Sequence, residues 1–236
     1  MAANIPLVNG LYTSALSHSR KPSRRAAAAR CNRRSHAVAR RLAMDSLSEV
    51  RVSVANNPGT PPDIMRILSN DDDPRVWMLA ASHPSTPPDA LHRLAGVLGA
   101  ISANGSTVAG TYTANSLLAQ LVRNPNAQEY VLLRILSMRV HSPAVLNAVL
   151  DSPEVSGRLM SKMAEWVFEM GISPQYGHLE NEIDDLMIRV GGHKRTPSET
   201  LLKLGMTGGR DLRERILIRP DLPDSMRQML VFSRIA

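Results

Sequence analysis

The sequence has very few of the residues that build disulfides, metal clusters or aromatic cores. Its 236 residues include one cysteine, Cys31, and 3% of them are aromatic. A single thiol excludes an intramolecular disulfide and any site that needs several thiolates. No apolar run reaches the roughly 18 residues of a membrane-spanning helix, and the segment before Cys31 lacks the apolar stretch of a secretory signal. We therefore expect a cytoplasmic protein that does not bind a membrane.

Acidic residues are absent before Asp45. Residues 1–50 carry nine arginine and lysine side chains against two acids, whereas basic and acidic residues balance over 51–236. The whole net charge of +7 therefore belongs to the first fifth of the chain. Such a segment favours phosphate backbones or acidic protein surfaces. A solubilising tail and an organellar presequence are the alternative interpretations, since presequences are also rich in arginine and serine.

A 26-residue repeat runs through most of the chain. Residues 50–63 align with 76–89, and the same frame returns near 212–230. Seven marker positions follow this frame, with weaker copies in the middle: Asn32, Pro58, Pro84, Pro125, Pro153, Lys194 and Pro220. Self-similarity at a fixed period is typical of helical arrays in which each unit packs on the next.

Each unit has the pattern of two short helices joined by a proline turn. Thr60 is predicted to cap the second helix, Pro61 to occupy its first position, and Asp63 to complete the cap. Apolar residues then follow at helical spacing, as in Ile64 and Leu68. The pattern predicts an all-α protein, an α-solenoid of about six two-helix repeats, since neither helix of a unit can bury its apolar face alone.

Two gaps between markers are longer than one repeat period and indicate insertions. The first, about 96–115, is rich in Gly, Ser, Thr and Ala and is predicted to be a flexible loop. The second, about 164–190, is predicted to lengthen one helix, turn at 171–174 and add an acidic amphipathic helix over 180–190. The predicted organisation is a basic N-terminal extension, 1–31, followed by a single repeat domain, 32–236.

The aligned segments resemble a known repeat family. The pattern Val-Arg-x-x-Val-Ala-x-Asn-Pro-x-Thr-Pro-Pro-Asp in residues 50–63 and 76–89 is similar to the leucine-rich repeat variant family, a relative of HEAT and armadillo solenoids. The resemblance is good over 50–95 and 196–230. It implies a right-handed stack of short helices in which one layer can be 3₁₀ rather than α. It implies no catalytic activity, because that family shares an architecture and lacks a common catalytic motif.

No catalytic motif is present in the sequence. It lacks a G-x-x-x-x-G-K-[ST] phosphate loop, a G-x-S-x-G elbow and an H-E-x-x-H zinc motif. His83 stands at the repeat position of Asn57, so a structural role in a turn is favoured over ligation. We therefore predict a protein that is not an enzyme and has no cofactor, metal site or small-molecule substrate. A HEAT-like DNA glycosylase is the lesser alternative, for which the chain offers only Trp77 and Trp166 as tryptophans.

The leading hypothesis is a non-catalytic binding module that contacts nucleic acid through phosphates. Duplex DNA is favoured because aromatic residues that would stack on single-stranded bases are not interleaved with the arginines. If one helix spans them, Arg30, Arg34 and Arg41 approach one stripe together with Arg33. The alternative is a protein–protein interaction scaffold without nucleic-acid binding, with the acidic helix or the 96–115 segment as its contact. An acidic protein is the alternative partner to nucleic acid. The candidate phosphate-binding residues are Arg24, Arg25, Arg30, Arg33, Arg34, Arg40 and Arg41.

Overall fold

The computed structural model of the protein describes residues 5–32, 34–104, 108–138, 142–172 and 174–232. These residues form fifteen α-helices and one 3₁₀ helix, and none of them lies in a strand. The predicted all-α class is confirmed. In chain order the helices are α1 (Ile5–Ser17), α2 (Pro22–Arg30), α3 (His36–Ala43), α4 (Ser48–Ala55), α5 (Pro62–Leu68), α6 (Pro74–Ser82), α7 (Pro88–Asn104), α8 (Val108–Val122), α9 (Glu129–Ser137), α10 (Pro143–Leu150), α11 (Gly157–Ile172), the 3₁₀ helix (Pro174–Leu179), α12 (Glu180–Gly192), α13 (Ser198–Thr207), α14 (Arg210–Leu217) and α15 (Asp224–Phe232).

The helices pack in two alternating rows. The chain divides into two compact units, residues 1–98 with 123–127 and residues 99–122 with 128–236. In the first unit α2, α4 and α6 pack in one row, and α1, α3 and α5 in the other. In the second unit α8, α10, α12 and α14 form one row, and α9, α11, α13 and α15 the other. Within each unit this sequential packing is that of a repeat-like helical array.

The marker positions lie in the turns between paired helices. Asn32 lies between α2 and α3, Pro58 between α4 and α5, and Pro220 between α14 and α15, and the other four occupy equivalent turns. Of the apolar residues predicted to face inward, Ile64, Leu68 and Leu91 are buried, whereas Ile67 and Leu79 are half-buried. The 26-residue frame therefore locates the helix pairs correctly.

The predictions for the two insertions differ in how well they agree with the structure. The prediction of a flexible loop over 96–115 is wrong for 96–104 and 108–115, which belong to α7 and α8, and its residues 105–107 lie outside the described residues. Leu98 continues the buried spacing of Leu91 and Leu94, and α8 packs on α9 and α10. This tertiary packing outweighs the weak helix propensity of Gly, Ser and Thr. The predicted lengthened helix and acidic helix of the second insertion are confirmed as α11 and α12.

The segment predicted to precede the repeats is itself helical. α2, α4 and α6 begin at Pro22, Ser48 and Pro74, which are equivalent positions in three successive periods of the repeat. α2 packs on α4, and α1 packs on α2 and α3. In the described part of residues 1–31, α2 thus occupies the place of a first repeat helix. The predicted division at residue 31 into an extension and a single domain stays a prediction.

The recurring threonine of the repeat has a different role from the predicted cap. α5 begins at Pro62, one residue later than expected, and Pro61 is its N-cap. The Thr60 hydroxyl is buried and donates to the carbonyl oxygen of Val54 at 2.6 Å. Thr86 donates in the same way to Ala80, and Thr196 to Val190, each across six residues at 2.6 Å. The capping prediction for Thr60 is wrong, since its hydroxyl closes the turn onto the preceding helix.

Residues just before the marker position link successive turns of the first unit. Asn57 Nδ2 donates to the carbonyl oxygen of Ala29 at 2.8 Å. One repeat later, the His83 ring bonds the carbonyl oxygen of Asn57 at 3.0 Å. Asn124 Nδ2 in turn donates to the carbonyl oxygen of His83 at 2.9 Å. We call these three side chains the turn ladder. The carbonyl oxygens of Asn57 and His83 also accept from the amides of Thr60 and Thr86, at 2.9 and 3.0 Å, so the ladder adds a second donor to each. These side-chain contacts between successive turns favour one register of stacking.

In the second unit, a different side chain links successive turns in the same way. Arg219 stands just before Pro220 and is 6% exposed. Its Nη1 donates to the carbonyl oxygens of Gly191 and His193, at 2.9 and 2.6 Å. An arginine, an asparagine and a histidine therefore occupy one repeat position because each can donate to the preceding turn. The predicted structural role of His83 in its turn is confirmed.

The ladder makes stability depend on pH at His83. The Ser85 amide donates to Nδ1 at 3.1 Å, so Nδ1 is unprotonated and Nε2 carries the proton that binds Asn57. Burial lowers the pKa of His83 below its ordinary value, and the charge of Arg34 acts in the same direction. The stabilisation is complete above the unfolded pKa of about 6.5 and is lost as pH falls from there through the lower folded pKa.

Between pH 7 and pH 5 we expect the free energy of unfolding of the wild type to decrease. We expect a smaller decrease in His83→Asn. Asparagine is the residue that stands at the equivalent positions 57 and 124, and it does not titrate. The measurement is urea unfolding at half-unit pH steps. His193, whose pKa burial also lowers, contributes equally to both proteins. Identical pH profiles for the two proteins would contradict the assignment.

Candidate nucleic-acid interface

Three of the predicted arginines are exposed and uncommitted. Arg24 and Arg30 lie on α2, and Arg40 lies on α3. Within the described residues these guanidinium groups form no ion pair and no hydrogen bond. Because α2 and α3 pack on each other and on α1, the three cations belong to one small group of helices.

Arg25 is instead part of the internal structure. Its Nε and Nη2 bind the two carboxylate oxygens of Asp45, at 2.6 and 3.0 Å, and its Nη1 donates to the carbonyl oxygen of Ser19 at 3.0 Å. The two side chains are 15% and 8% exposed. Burial opposes ionisation of Asp45, but the hydrogen bonds from Arg25 and from the Leu47 amide outweigh it, so the pKa of that carboxyl lies below its ordinary value. Arg25 joins α2 to the turn before α4.

Arg34 and Arg41 also bind backbone or buried groups. Arg34 donates to the carbonyl oxygen of Cys31 and to the buried Thr60 hydroxyl, and burial lowers the pKa of its guanidinium. Its Nε is buried and makes no hydrogen bond within the described part of the protein. Arg41 donates to the carbonyl oxygen of Ser17 and is otherwise exposed. Arg33 lies outside the described residues.

The expectation of a single arginine stripe on one helix is wrong. α2 ends at Arg30 and α3 begins at His36, so a turn separates the two groups of arginines. The Ser35 hydroxyl accepts from the Val38 amide and caps α3. The break occurs because this segment carries the same inter-helix turn as the later repeats, with Asn32 at the marker position. The exposed cations are therefore held on separate, packed helices.

The pairing of Arg40 differs from that of its repeat equivalent. Arg66 stands one repeat period later and binds Asp89 through Nε and Nη2, at 2.8 and 3.0 Å. The residue equivalent to Asp89 is Asp63, and the His36 ring binds it at 2.7 Å. A histidine thus takes the carboxylate that the repeat would supply to Arg40, and this exchange leaves the Arg40 guanidinium available.

Two exposed cations near the predicted arginines were missed from the sequence. Arg20 and Lys21 lie in the turn between α1 and α2, are exposed, and have side chains without a partner among the described residues. We define the basic cluster as the five uncommitted cations of this region: Arg20, Lys21, Arg24, Arg30 and Arg40. Asp45 is the only acid before Glu49 in the sequence, and Arg25 already binds it. The cluster therefore keeps its full positive charge.

A comparison of equivalent repeat positions distinguishes structural from exposed arginines. Arg51 is the repeat equivalent of Arg25, and it binds Asp71, the equivalent of Asp45, at 2.6 and 2.7 Å. Both arginines also donate to a carbonyl six residues earlier. Arg24, in contrast, aligns with the buried Val50. This repeated ion pair was the sequence signal that Arg25 is structural.

The described residues offer little support for other chemistry. They include no group of three or more His, Cys, Asp or Glu side chains placed to hold a metal ion. Among the helices that the structure describes, none combines the length and apolar character needed to span a bilayer. Trp166 is 4% exposed, so its ring is not free to stack on an extruded base as a glycosylase mechanism requires.

Comparisons with known proteins do not identify a family. The chain matches no protein-family model, no curated protein and no solved structure. Its function is therefore argued from the residues alone.

Proposed function

We propose that the protein binds nucleic acid, most favourably duplex DNA, through the basic cluster. The observation that carries the proposal is the set of five exposed, uncommitted cations on α2, on α3 and in the turn between α1 and α2, in a segment whose one acid, Asp45, is already paired. Arginine forks bind phosphate oxygens through paired N–H donors, and such contacts provide affinity without sequence readout. Arg24, Arg30 and Arg40 are held on packed helices, so less conformational freedom is lost when they bind than when a disordered tail does.

The proposal narrows the predicted set of contacts. Arg24, Arg30 and Arg40 are the principal phosphate ligands, with Arg20 and Lys21 beside them. Arg25 and Arg34 support the helices that present these side chains.

We also propose that the chain is a member of the leucine-rich repeat variant family and that its helix pairs stack with a right-handed twist. The 26-residue frame and the sequential packing of the helices support this proposal.

Duplex binding is tested by fluorescence anisotropy with a labelled 20-base-pair DNA over a salt series. For the triple variant Arg24→Gln, Arg30→Gln, Arg40→Gln we expect at least a tenfold loss of affinity at low salt. The slope of log K against log salt should become less negative by about 2–3, because each phosphate contact contributes about −0.9 to it. The physical reason is the loss of three sites of counterion release.

The matched control is Arg123→Gln, Arg134→Gln, Arg158→Gln, which removes the same charge from exposed arginines outside α1–α3. Its affinity should remain within about threefold of the wild type, because only the general field changes. Equal losses in the two triple variants would overturn the basic cluster as the site. An absence of duplex binding even at low salt would overturn the proposal in favour of an acidic protein partner.

A further inference from the structure

A cavity of about 460 Å³ lies within the second unit, where the second insertion meets a shorter helix pair. α11 and α12 have 16 and 13 residues, whereas α13 and α14 have 10 and 8. The additional turns of α11 and α12, with the 3₁₀ helix between them, form one wall. The end of α13 and the start of α14 form the other. Two smaller cavities, of about 50 and 190 Å³, share lining residues with it and extend it into a groove.

The groove is apolar inside and acidic on its α12 wall, whereas its two extensions also hold Lys203 and Arg210, of which Arg210 binds Glu214. Phe168, Met187 and Leu204 line it, and Ile172 on its wall is 68% exposed. Glu180 and Asp184 of α12 also line it, and neither forms an ion pair with the described residues. The sequence over 160–190 contains six acids and two basic residues. Such a surface repels phosphate and attracts a cationic group that carries apolar side chains.

Two glycines line the groove and differ in the space around them. A Cβ on Gly208 would come within 2.4 Å of Leu212 Cδ2, so this position has no room for a side chain. A Cβ on Gly209 would meet no atom within 4 Å. The backbone of Gly209, with φ −64°, accepts any residue. Gly209 is therefore a position from which the groove can be filled without disturbing the helices.

We propose that this groove binds a basic amphipathic peptide segment of a partner protein. Its apolar side chains would lie against Phe168, Met187 and Leu204, and its arginine or lysine side chains would meet Glu180 and Asp184. The volume accommodates several apolar side chains, and the elongated form suits an amphipathic helix in a groove. The uncompensated acids next to exposed apolar surface select a cationic partner. The site lies in the second unit and does not depend on the proposed nucleic-acid site of the first.

The test uses the full chain and three labelled 14-residue peptides in anisotropy titrations. The first peptide has leucine at i, i+3, i+4 and i+7 with arginine and lysine elsewhere, the second has glutamate in place of the basic residues, and the third has glutamine in place of leucine. We expect the first to bind at least tenfold more tightly than either of the others. Binding by none of them at 1 mM protein, or equal binding by the first two, would overturn the proposal.

Variants of the chain locate the bound peptide. Gly209→Phe, which fills the groove, and the pair Glu180→Lys, Asp184→Lys, which reverses its charge, should each weaken binding of the first peptide at least tenfold. The pair Glu154→Lys, Glu199→Lys makes the same charge change at exposed positions that do not line the groove and should stay within twofold. Should Gly209→Phe fail to fold, the charge-reversal pair still decides the outcome. Unchanged binding in that pair would overturn the site.

Discussion

Asn57→Ala is expected to lower the free energy of unfolding of the protein by about 1–3 kcal/mol. The Asn57 side chain is 3% exposed and forms two hydrogen bonds. Its Nδ2 donates to the carbonyl oxygen of Ala29 at 2.8 Å, and its Oδ1 accepts from the Gly59 amide at 2.9 Å. Alanine leaves the carbonyl of the fully buried Ala29 without this donor, and an abandoned buried group costs about 1–3 kcal/mol. Gly59 is exposed, so its amide can bind water instead. The measurement is urea unfolding followed by far-ultraviolet circular dichroism.

Two further variants separate the ladder from a general effect of losing an asparagine. Asn70→Ala removes an exposed side chain whose amide donates to the carbonyl oxygen of Arg66 at 3.2 Å, and it should cost less than about 1 kcal/mol. Asn57→His should cost less than Asn57→Ala, because His83 one repeat later accepts from the amide two residues ahead, as Asn57 does, and its ring also reaches a carbonyl oxygen of the preceding turn. Equal losses in Asn57→Ala and Asn70→Ala would refute the ladder as a stabilising feature.

Gly208→Ala should lower the free energy of unfolding by about 1–3 kcal/mol through overpacking. The added methyl group would lie 2.4 Å from Leu212 Cδ2 and 2.7 Å from the carbonyl oxygen of Leu204. The Leu204 carbonyl cannot withdraw easily, because it belongs to the last turn of α13 and accepts from the Gly208 amide at 2.8 Å. Leu212 is buried in the second unit. Relief of the contact therefore requires a shift of α14 against α13.

The neighbouring glycine provides the matched control. Gly209→Ala introduces the same methyl group into open space at a backbone conformation that alanine accepts. Alanine reduces the conformational freedom of the unfolded chain, which slightly stabilises the protein, but it is a poorer N-cap of α14 than glycine, which slightly destabilises it. We therefore expect the free energy of unfolding to change by less than about 0.5 kcal/mol. Both variants are compared in thermal and urea unfolding. Similar stabilities of the two alanine variants would contradict the close packing at Gly208.

The positions of most helices could be predicted because the signals are local. Prolines and acidic residues at helix starts, such as Pro62 with Asp63, and apolar residues at spacings of three and four, act within one or two turns of the chain. The acidic helix over 180–190 was predicted for the same reason. The 26-residue repeat then predicts the same helix starts at the equivalent positions of the other repeats, and with them the seven turns between paired helices.

The failures concern features that tertiary contacts decide. The weak helix formers of 96–115 form the end of α7 and the start of α8, where Leu98 is buried and α8 packs on α9 and α10, although Val97 and Ile101 stay exposed. Thr60 is a residue type that often caps a helix, but its hydroxyl donates to the Val54 carbonyl oxygen and does not cap α5. Local rules do not distinguish these outcomes, because the competing partner lies in another element.

The candidate site shows the same division. Seven arginines of one segment are chemically equivalent in the sequence, and only packing separates them. Arg25 reaches Asp45 in the turn before α4, and Arg40 loses Asp63 to His36. The repeated pair Arg51–Asp71 indicated the first of these contacts, but nothing in the local sequence indicates the second. The groove of the second unit was not predicted, since it results from the unequal lengths of adjacent helix pairs.

The sequence by itself determined that the chain forms paired helices at a regular interval, with its surplus positive charge in the first fifth. Helix starts, turns and apolar spacing are encoded by near neighbours, so they persist wherever the segment packs. Only the tertiary structure decided which arginines remain exposed, what the buried threonines bind, and where a groove opens. Those properties depend on which side chains from distant repeats come within a few ångströms, and that proximity exists only after the helices have packed.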